Sequence, residues 1–282
     1  MGTSTSSNGP GPGVPLVPPW APPAPPALPV DPSGAPEPPA PDASPDAISA
    51  APDAVTAAPG IAPERRFLPT RRALGDFGRA GNRDDLRKAL GNYVKRGYGG
   101  AATAARRMSG TATTAGALGG VLAALANDTP RAGLDRALLA SMDADRLLDA
   151  VVESVRSVDG TQDAEAERRC IREALTETLE HYPDANLLGL DNEQRAFAIE
   201  RFVAFDVFAR FELDVGKAIV DNAPSAAQGL ARLDDARGFI REAVGAAFRD
   251  LARQGHAITS AVLASVVAAA LKLTFTVFED YV

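Results

Sequence analysis

Residues 191–211 read DNEQRAFAIERFVAFDVFARF, and this stretch decides the fold class of the chain. Asp191 is a residue type that commonly precedes the first turn of a helix, where its carboxylate accepts backbone N–H groups. Large aromatic side chains follow it with helical periodicity, at Phe197, Phe202, Phe205 and Phe208. The stretch therefore predicts a helix that supplies aromatic side chains to a core.

The same two signals, a capping residue and apolar periodicity, predict helices on the N-terminal side of this stretch. Thr161 precedes a periodic run that ends before Pro183. Ser141 precedes another run, whose inward positions are Leu147, Leu148, Val151, Val152 and Val155. Both runs have the 3.6-residue period of a helix.

Helices are also predicted on the C-terminal side. A shorter segment over 216–232 leads to a helix that begins at Asp234 or Asp235, and a last helix follows over about 258–280. The β-branched and aromatic residues of 271–277 could form a strand, but their spacing also fits a continuing helix. The helical alternative is favoured.

Two more helices are predicted nearer the N-terminus. Asn82 is a typical N-cap for a first helix over about 83–96, and glycines then interrupt the pattern. A second helix over roughly 101–126 consists of small residues, with Gly116 and Gly120 one turn apart. Such a helix lets a neighbouring element approach closely.

The sequence as a whole predicts an all-α domain of about seven to ten helices over 82–282. A Pro/Ala-rich tail over 1–64 precedes it, with 19 of the 23 prolines and no Lys or Arg. The tail has too few large apolar residues to offset the entropy of ordering, so it is predicted to be disordered with polyproline II character.

Charge is distributed unevenly along the rest of the chain. The stretch 65–81 is predicted to be a basic linker, because Pro69 and several glycines punctuate it. Residues 65–107 carry 12 Lys or Arg against three acids, and 108–282 carry 17 against 27. We expect the basic part to pack against the acidic part. The alternative is nucleic-acid contact, for which the candidates are Arg71, Arg72, Lys95, Arg96, Arg106 and Arg107.

No catalytic residue, metal site or cofactor site is predicted. The chain has two histidines and one cysteine, too few for a zinc site built from four Cys or His ligands. Cys170 falls on the apolar face of its predicted helix, where a buried thiol is the ordinary role. His181 and His256 have no nucleophile or second ligand at a recognisable spacing. The sequence predicts a protein that is not an enzyme.

The compartment is predicted from what the sequence lacks. A single cysteine excludes an intramolecular disulfide and favours a reducing compartment. The N-terminus lacks the features of a signal peptide, and no stretch is convincingly transmembrane. A cytoplasmic location without membrane attachment is therefore expected.

The N-terminal residues have two noteworthy features. Met1 precedes the small residue Gly2, which predicts removal of Met1 and exposure of a glycine α-amine. With Ser6 this also fits the pattern for myristoylation, which is common by chance. Further on, the apolar and proline-rich stretch 14–20 contains the tail's one aromatic residue, Trp20, and resembles a docking segment.

Three stretches carry a resemblance to a known family. They are MGTSTSSNGP (1–10), PLVPPWAPP (15–23) and YVKRGYGGAATAARRMSGTATTAGALGGVL (93–122). Together they resemble QatB, a component of the four-gene Qat anti-phage defence systems of bacteria. The resemblance is strongest over 1–20 and about 90–125.

The resemblance implies three partners: an ATPase, a TatD-like nuclease and an enzyme similar to QueC. QueC-type enzymes activate a deazaguanine carboxylate with ATP and let an amine attack it. Gly2 is then the expected acceptor of a nucleobase-type group. The residues expected to be recognised by the partner enzyme are Thr3, Ser4, Gly9, Pro10, Pro15, Leu16, Pro18 and Trp20.

Two other functions remain open at this point. One is nucleic-acid binding through residues 65–107, for which affinity would fall steeply with salt. The other is a pure scaffold, in which the tail only tethers the helical domain to the ATPase or the nuclease.

Overall fold

The computed structural model describes residues 13–19, 21–28, 61–129, 131, 134–157, 161–256 and 262–282. The α-helices in these residues are α1 (Leu68–Ala80), α2 (Arg83–Asn92), α3 (Ala101–Arg107), α4 (Ser109–Ala126), α5 (Arg136–Leu139), α6 (Ala144–Val155), α7 (Gln162–His181), α8 (Asn192–Phe211), α9 (Lys217–Asn222), α10 (Ala226–Arg253) and α11 (Leu263–Glu279). The described residues contain isolated β-bridges but no named strand. The all-α prediction is confirmed.

Two π-helical segments extend these helices. Tyr93–Gly97 continues α2, and Glu212–Gly216 joins α8 to α9 without a break. With α8 and α9 counted as one continuous helix, the described residues hold ten helices. Nine of these ten lie within 82–282, for which seven to ten helices were predicted.

Helix α8 lies at the centre of the core. It packs against α4, α7 and α10, and its Phe202 and Phe211 are fully buried. Helix α11 covers α3, α4 and α10, while α1 packs against α2 and α9. The aromatic run that predicted the fold class therefore supplies the middle of the molecule.

Three predicted N-caps are confirmed by their hydrogen bonds. The Asn82 side chain accepts the N–H of Asp84 at the start of α2, and Thr161 caps α7 in the same manner. Asp191 and Gln194 form a reciprocal capping box at the start of α8. These bonds satisfy N–H groups that have no partner within the helix.

Two other predicted helix starts are wrong. The cap of α6 is Asp143, which accepts the N–H of Arg146, whereas the Ser141 hydroxyl bonds back to a carbonyl. Helix α10 begins after Ser225, so Asp234 and Asp235 are exposed residues within it. An exposed acid inside a helix has the same local pattern as an acid at its start. The sequence signal was ambiguous for this reason.

The predicted basic linker over 65–81 is corrected by the structure, because 68–80 form helix α1. Pro69 lies in the first turn, where a missing N–H costs nothing. The glycine at 78 faces α9 so closely that a Cβ there would lie 2.6 Å from the carbonyl oxygen of Ile219. Gly81, in the left-handed conformation, ends the helix. The glycines therefore mark close packing rather than a loop.

The predicted helix over 101–126 is divided at Met108 into α3 and α4. Within α4 the closest approach is at Gly119, where a Cβ would overlap the side chain of Leu263 in α11. Helix α4 is long and apolar enough to cross a membrane by composition alone, but 56% of that window is buried inside the protein. Burial of this kind is typical of a core helix.

Residues 271–277 lie within α11, so the preference for a helix there is confirmed. Helix α11 ends at Glu279, close to the predicted end of the last helix. The first residues of that predicted helix, before 262, lie outside the described residues.

Candidate functional site

An N-terminal segment, residues 13–19 and 21–28, lies against the helical body and is called the docked segment below. The backbone N–H of Ala62 donates to the carbonyl of Val14 at 2.9 Å, and Pro15 and Ile61 form an antiparallel bridge. The Leu16 side chain is only 6% exposed. This part of the predicted tail has no helix, as expected, but it is packed on the body.

Residues of α3 and α4 hold the docked segment from the body side. The Ser109 hydroxyl donates to the carbonyl of Pro22 at 2.7 Å, and Arg107 donates to the carbonyl of Leu16 at 3.5 Å. Gly99 has a φ of +75°, and a Cβ atom at this position would lie 3.0 Å from Leu16 Cδ1. Leu28 packs against the main core at the other end of the segment.

The two π-helical segments meet at a cluster of two buried tyrosines and the partly exposed Asp214. The hydroxyls of Tyr93 and Tyr98 donate to Asp214 Oδ2, at 3.0 Å and 2.5 Å. Both tyrosines are 3% exposed, and burial followed by the charge of Asp214 raises their pKa values. Both hydroxyls therefore stay protonated and serve as donors.

Arg66 lies beside this cluster and is 5% exposed. Its guanidinium stacks over the rings of Phe67 and Tyr98, with centroid distances of 4.5 Å and 5.4 Å. Burial lowers the pKa of Arg66, while the nearby Tyr98 and Asp214 act in the opposite direction. The Arg66 guanidinium is therefore stabilised by the two aromatic rings and, without an ion pair, by the charge of Asp214.

A cavity of about 280 Å³ lies between α4, α7, α8 and the docked segment. Ala21 and Pro22 of the docked segment form part of its wall. Its polar lining includes Asp163, Glu167 and Asp206, together with the side chains of Arg107, Arg156, Arg210, Thr111, Thr113 and Thr114. Three arginines and three carboxylates therefore line it together.

Two carboxylates of this cavity accept hydrogen bonds from threonines of α4. Thr111 donates to Asp206 Oδ2 at 2.5 Å, and Glu167 Oε2 accepts from Thr114 at 3.2 Å and pairs with Arg156 at 3.0 Å. Burial raises the pKa of Asp206. Burial, and secondly the charge of Asp206, raise the pKa of Glu167 to about 7.

The raised pKa of Glu167 predicts a pH-dependent stability. The folded chain binds more protons than the unfolded chain between the ordinary value of 4.5 and about 7, so stability should fall as pH rises through this window. Glu167→Gln removes this titrating group. Its free energy of unfolding should therefore fall less than that of the wild type across this window, by on the order of 3 kcal/mol. Urea denaturation at several pH values measures it.

The control for this prediction is Glu173→Gln on the same helix, because the Glu173 side chain is 38% exposed and outside the cavity lining. It should keep the pH slope of the wild type. Equal slopes for the wild type and Glu167→Gln would contradict the prediction.

The helical body of the chain matches a known protein family. A family model described as Qat anti-phage system associated protein QatB matches residues 99–278, which is more than half of the chain. The chain belongs to the QatB family. It is therefore a component of an anti-phage defence system. No curated protein and no solved structure matches the chain.

The QatB match covers α3 to α10 and nearly all of α11, and with them the cavity residues on α4, α7 and α8. It begins at residue 99, so it includes most of 90–125, one of the two stretches where the resemblance is strongest, but not the other, 1–20. The family assignment therefore rests on the helical body. The role of the N-terminal residues stays a prediction.

The structure describes three of the residues expected to be recognised by a partner enzyme. Leu16 is buried against the body, whereas Pro15 and Pro18 are partly exposed. The other members of that set, together with Gly2, lie outside the described residues; they are Thr3, Ser4, Gly9, Pro10 and Trp20. Recognition of Leu16 by a partner would require the docked segment of this QatB protein to detach.

The six basic candidates do not line one site in the part of the chain that is described. Arg71 and Arg72 line a cleft with Asn222, while Arg107 lines the cavity near the docked segment. Lys95 donates to the carbonyl of Val282 at 2.8 Å. Arg96 lies in the π-helical segment Tyr93–Gly97, and Arg106 lies in the last turn of α3. Contacts from this basic region to the body include Arg71 donating to the carbonyl of Asp214.

Sequence reasoning missed the acidic residues of both clusters. Asp206 follows Phe205 and precedes Val207 within the aromatic run of α8, and an acid in such a position is a signal of a buried charge. Asp214 lies between Leu213 and Val215 and carries the same kind of signal, whereas Glu167 has none, because Ala166 and Arg168 flank it. Only the packing of α7, α8 and the π-helical segments reveals their partners.

Two side chains that could bind a metal ion or take part in nucleophilic chemistry, Cys170 and His181, make ordinary packing contacts. Cys170 is buried, and burial raises the pKa of its thiol. His181 stacks on Phe197 with ring centroids 4.6 Å apart. Among the described residues, no group of three His, Cys, Asp or Glu side chains is arranged to hold a metal ion.

Proposed function

We propose that this QatB protein serves defence as a non-enzymatic component with an N-terminal acceptor. In this proposal a QueC-like enzyme of the same system attaches a nucleobase-type group to the α-amine of Gly2. The helical body then acts as an adaptor or effector towards the system's ATPase and TatD-like nuclease. The reaction takes place in the cytoplasm.

The observation that carries the proposal is the docked segment. The backbone bond between Val14 and Ala62, the buried Leu16 and the bond from Ser109 to Pro22 attach it to the body. The residues before Gly13 are thereby tethered at one defined place on the body. A partner that binds the body would then find the N-terminus nearby.

The residues from Gly2 up to the docked segment, called the leader below, are long enough for this arrangement. Eleven residue steps separate Gly2 from Gly13, and an extended chain spans at most about 3.6 Å per residue, or about 40 Å in all. Such a leader is long enough to enter a deep active site while the body stays outside. Its polar and glycine-rich composition offers little steric hindrance.

The chemistry suits a glycine α-amine. An α-amino group has a pKa of roughly 7.7–8.0, so an appreciable fraction is neutral and nucleophilic near neutral pH. The nitrogen of Gly2 would attack the carbonyl carbon of a carboxylate activated with ATP. The new C–N bond forms as the bond to the activating group breaks, and the nitrogen loses a proton to a base.

The burial of Leu16 gives this segment a role within its own chain. Pro15 and Pro18, which are partly exposed, remain accessible to a partner while Leu16 anchors the segment. In the proposal the partner enzyme reads the exposed side of the segment together with the leader. Leu16 fixes the position from which they are presented.

The test is the intact mass of the chain purified from cells that express the whole system. The wild type should lack Met1 and carry an N-terminal adduct. Gly2→Leu should carry no adduct, because a bulky second residue blocks both Met1 removal and attack on the activated carboxylate. The proposal takes Met1 as the initiator residue, which N-terminal sequencing of the wild type checks first.

The matched control is Gly2→Ala, which keeps a small second residue and should keep the adduct. Circular dichroism should give the same helical spectrum for all three proteins, since the change lies far along the chain from α1. If the wild type shows only the mass without Met1, the N-terminus is not an acceptor. The pure scaffold would then be the better explanation.

Nucleic-acid binding gains no support from a specific contact. The basic side chains 71, 72 and 107 line two different sites, and Arg71 and Arg107 each donate to a backbone carbonyl of the chain itself. A single phosphate-binding surface would gather such side chains on one face.

A further inference from the structure

A cleft between α1 and α9, called the basic cleft below, carries more positive than negative charge. Its described lining includes the carboxylate of Asp76 and three arginines, Arg71, Arg72 and Arg79. Arg79 donates to Asp76 at 2.5 Å and to Oδ1 of Asn222 at 2.7 Å, so its guanidinium is held in place. Arg72 is exposed and forms no ion pair within the described part of the chain. The basic cleft therefore presents uncompensated cations to solvent.

The connection from α7 to α8 carries the opposite charge and is called the acidic end below. Glu180, Asp184 and Glu193 are exposed there. Glu180 and Asp184 form no ion pair with any described residue, and Glu193 accepts the hydroxyl of Tyr182 at 3.3 Å. Arg195 donates to a backbone carbonyl and to an amide oxygen instead of to these carboxylates. Negative charge is therefore in excess at this end.

An ordered aromatic ring lies among the carboxylates of the acidic end. The ring of Tyr182 packs edge-on against His181 and Phe197, with centroid distances of 4.7 Å and 5.5 Å. Tyr182 is partly exposed and His181 is exposed. A ring that is already held in place loses little freedom when an arginine stacks on it, so the acidic end offers a cation both charge and an aromatic surface.

The basic cleft and the acidic end cannot meet within one copy of the chain. Glu193 lies in the first turn of α8, whereas Asn222 of the basic cleft is the last residue of α9. A π-helical segment joins α8 to α9 without a break, and the 20 residues of α8 alone span about 30 Å. The two charged surfaces therefore lie at opposite ends of one long helix.

We propose that the basic cleft of one copy binds the acidic end of a second copy. Arg72 and Arg79 of the first copy would pair with Glu180 and Asp184 of the second, and Tyr182 would accept a stacked guanidinium. Because the two surfaces differ, the contact is head-to-tail and each copy keeps one free surface for the next. Exposed ion pairs contribute little singly, so this assembly forms at high local concentration. The inference does not depend on conjugation of Gly2.

The first test is sedimentation of the full-length wild type at several protein concentrations. At about 50 mM salt the average mass should rise above that of the monomer as concentration increases, and at about 500 mM salt it should return to the monomer, because salt screens exposed charges. A monomer at every concentration up to about 1 mM would overturn the proposal. Association that does not weaken with salt would overturn it too.

The second test uses variants that each remove one of the two surfaces. Arg72→Glu keeps the acidic end, and Glu180→Lys/Asp184→Lys keeps the basic cleft. Each protein alone should associate about tenfold or more weakly than the wild type. Mixed together, they should form a 1:1 dimer that grows no further, since only one pair of intact surfaces remains. A mixture that stays monomeric would mean that these two surfaces do not bind each other.

Arg169→Glu is the matched control, because it reverses one charge on a side chain that is 58% exposed in the middle of α7. It should assemble as the wild type does. A loss equal to that of Arg72→Glu would mean general charge attraction and would contradict the proposal. Nucleic acid is the competing occupant of the basic cleft. If the wild type stays monomeric while Arg72→Glu lowers its affinity for duplex DNA, the cleft binds nucleic acid and the proposal is wrong.

Discussion

Replacing Gly78 by alanine should lower the free energy of unfolding by about 2–3 kcal/mol, because the new methyl group cannot be accommodated without separating two helices. A Cβ at this position would lie 2.6 Å from the carbonyl oxygen of Ile219 in α9. Backbone cannot rotate away as a flexible side chain can. Urea denaturation followed by circular dichroism measures the change.

Gly238→Ala is the matched control, since it introduces the same methyl group into another helix. A Cβ at Gly238 in α10 has no neighbouring atom within 4 Å. This substitution should stabilise the protein by about 0.5–1 kcal/mol, because alanine has the higher helix propensity. Opposite signs for the two substitutions are the expected result. Similar effects would show that Gly78 is not a packing contact.

Asp214→Ala should destabilise the protein by about 2–4 kcal/mol, because it removes the acceptor of two buried hydroxyls at once. Tyr93 and Tyr98 both donate to Asp214 Oδ2 at 2.5–3.0 Å. The substitution also removes the carboxylate that offsets the buried charge of Arg66. Thermal or urea unfolding of the purified chain measures the loss.

Asp221→Ala provides the comparison, because Asp221 is an exposed acid on the adjoining helix α9. Its contact with Lys217 is 3.8 Å long, and both side chains are more than half exposed. Exposed pairs of this kind contribute little, so the change should stay below about 0.5 kcal/mol. A loss for Asp214→Ala no larger than this would contradict the structural role of the cluster.

The cost of Asp214→Ala can be divided further with Tyr98→Phe. This variant removes one hydroxyl and leaves Tyr93 bound to Asp214, so it should cost less than Asp214→Ala. An equal or larger loss would mean that the Tyr98 hydroxyl alone accounts for most of the stability that the cluster contributes.

The fold class could be predicted from the sequence because helices depend on local signals. Asn82, Thr161 and Asp191 each cap a helix through hydrogen bonds to N–H groups two or three residues away. The aromatic run 191–211 has the spacing of α8. The prediction of a helix start at Asp234 or Asp235 was wrong, because an exposed acid inside a helix has the same local pattern as an acid at its start. Both residues lie within α10.

The sequence by itself determined the helical class, several helix starts and the contrast between the proline-rich tail and the body. Tertiary structure alone decided that 68–80 form a helix, since its glycines are explained by contact with α9. It also decided that Leu16 is buried and that Asp214 meets two tyrosines. These features join residues distant in sequence, and no local pattern encodes such contacts because they arise only when separate helices pack together.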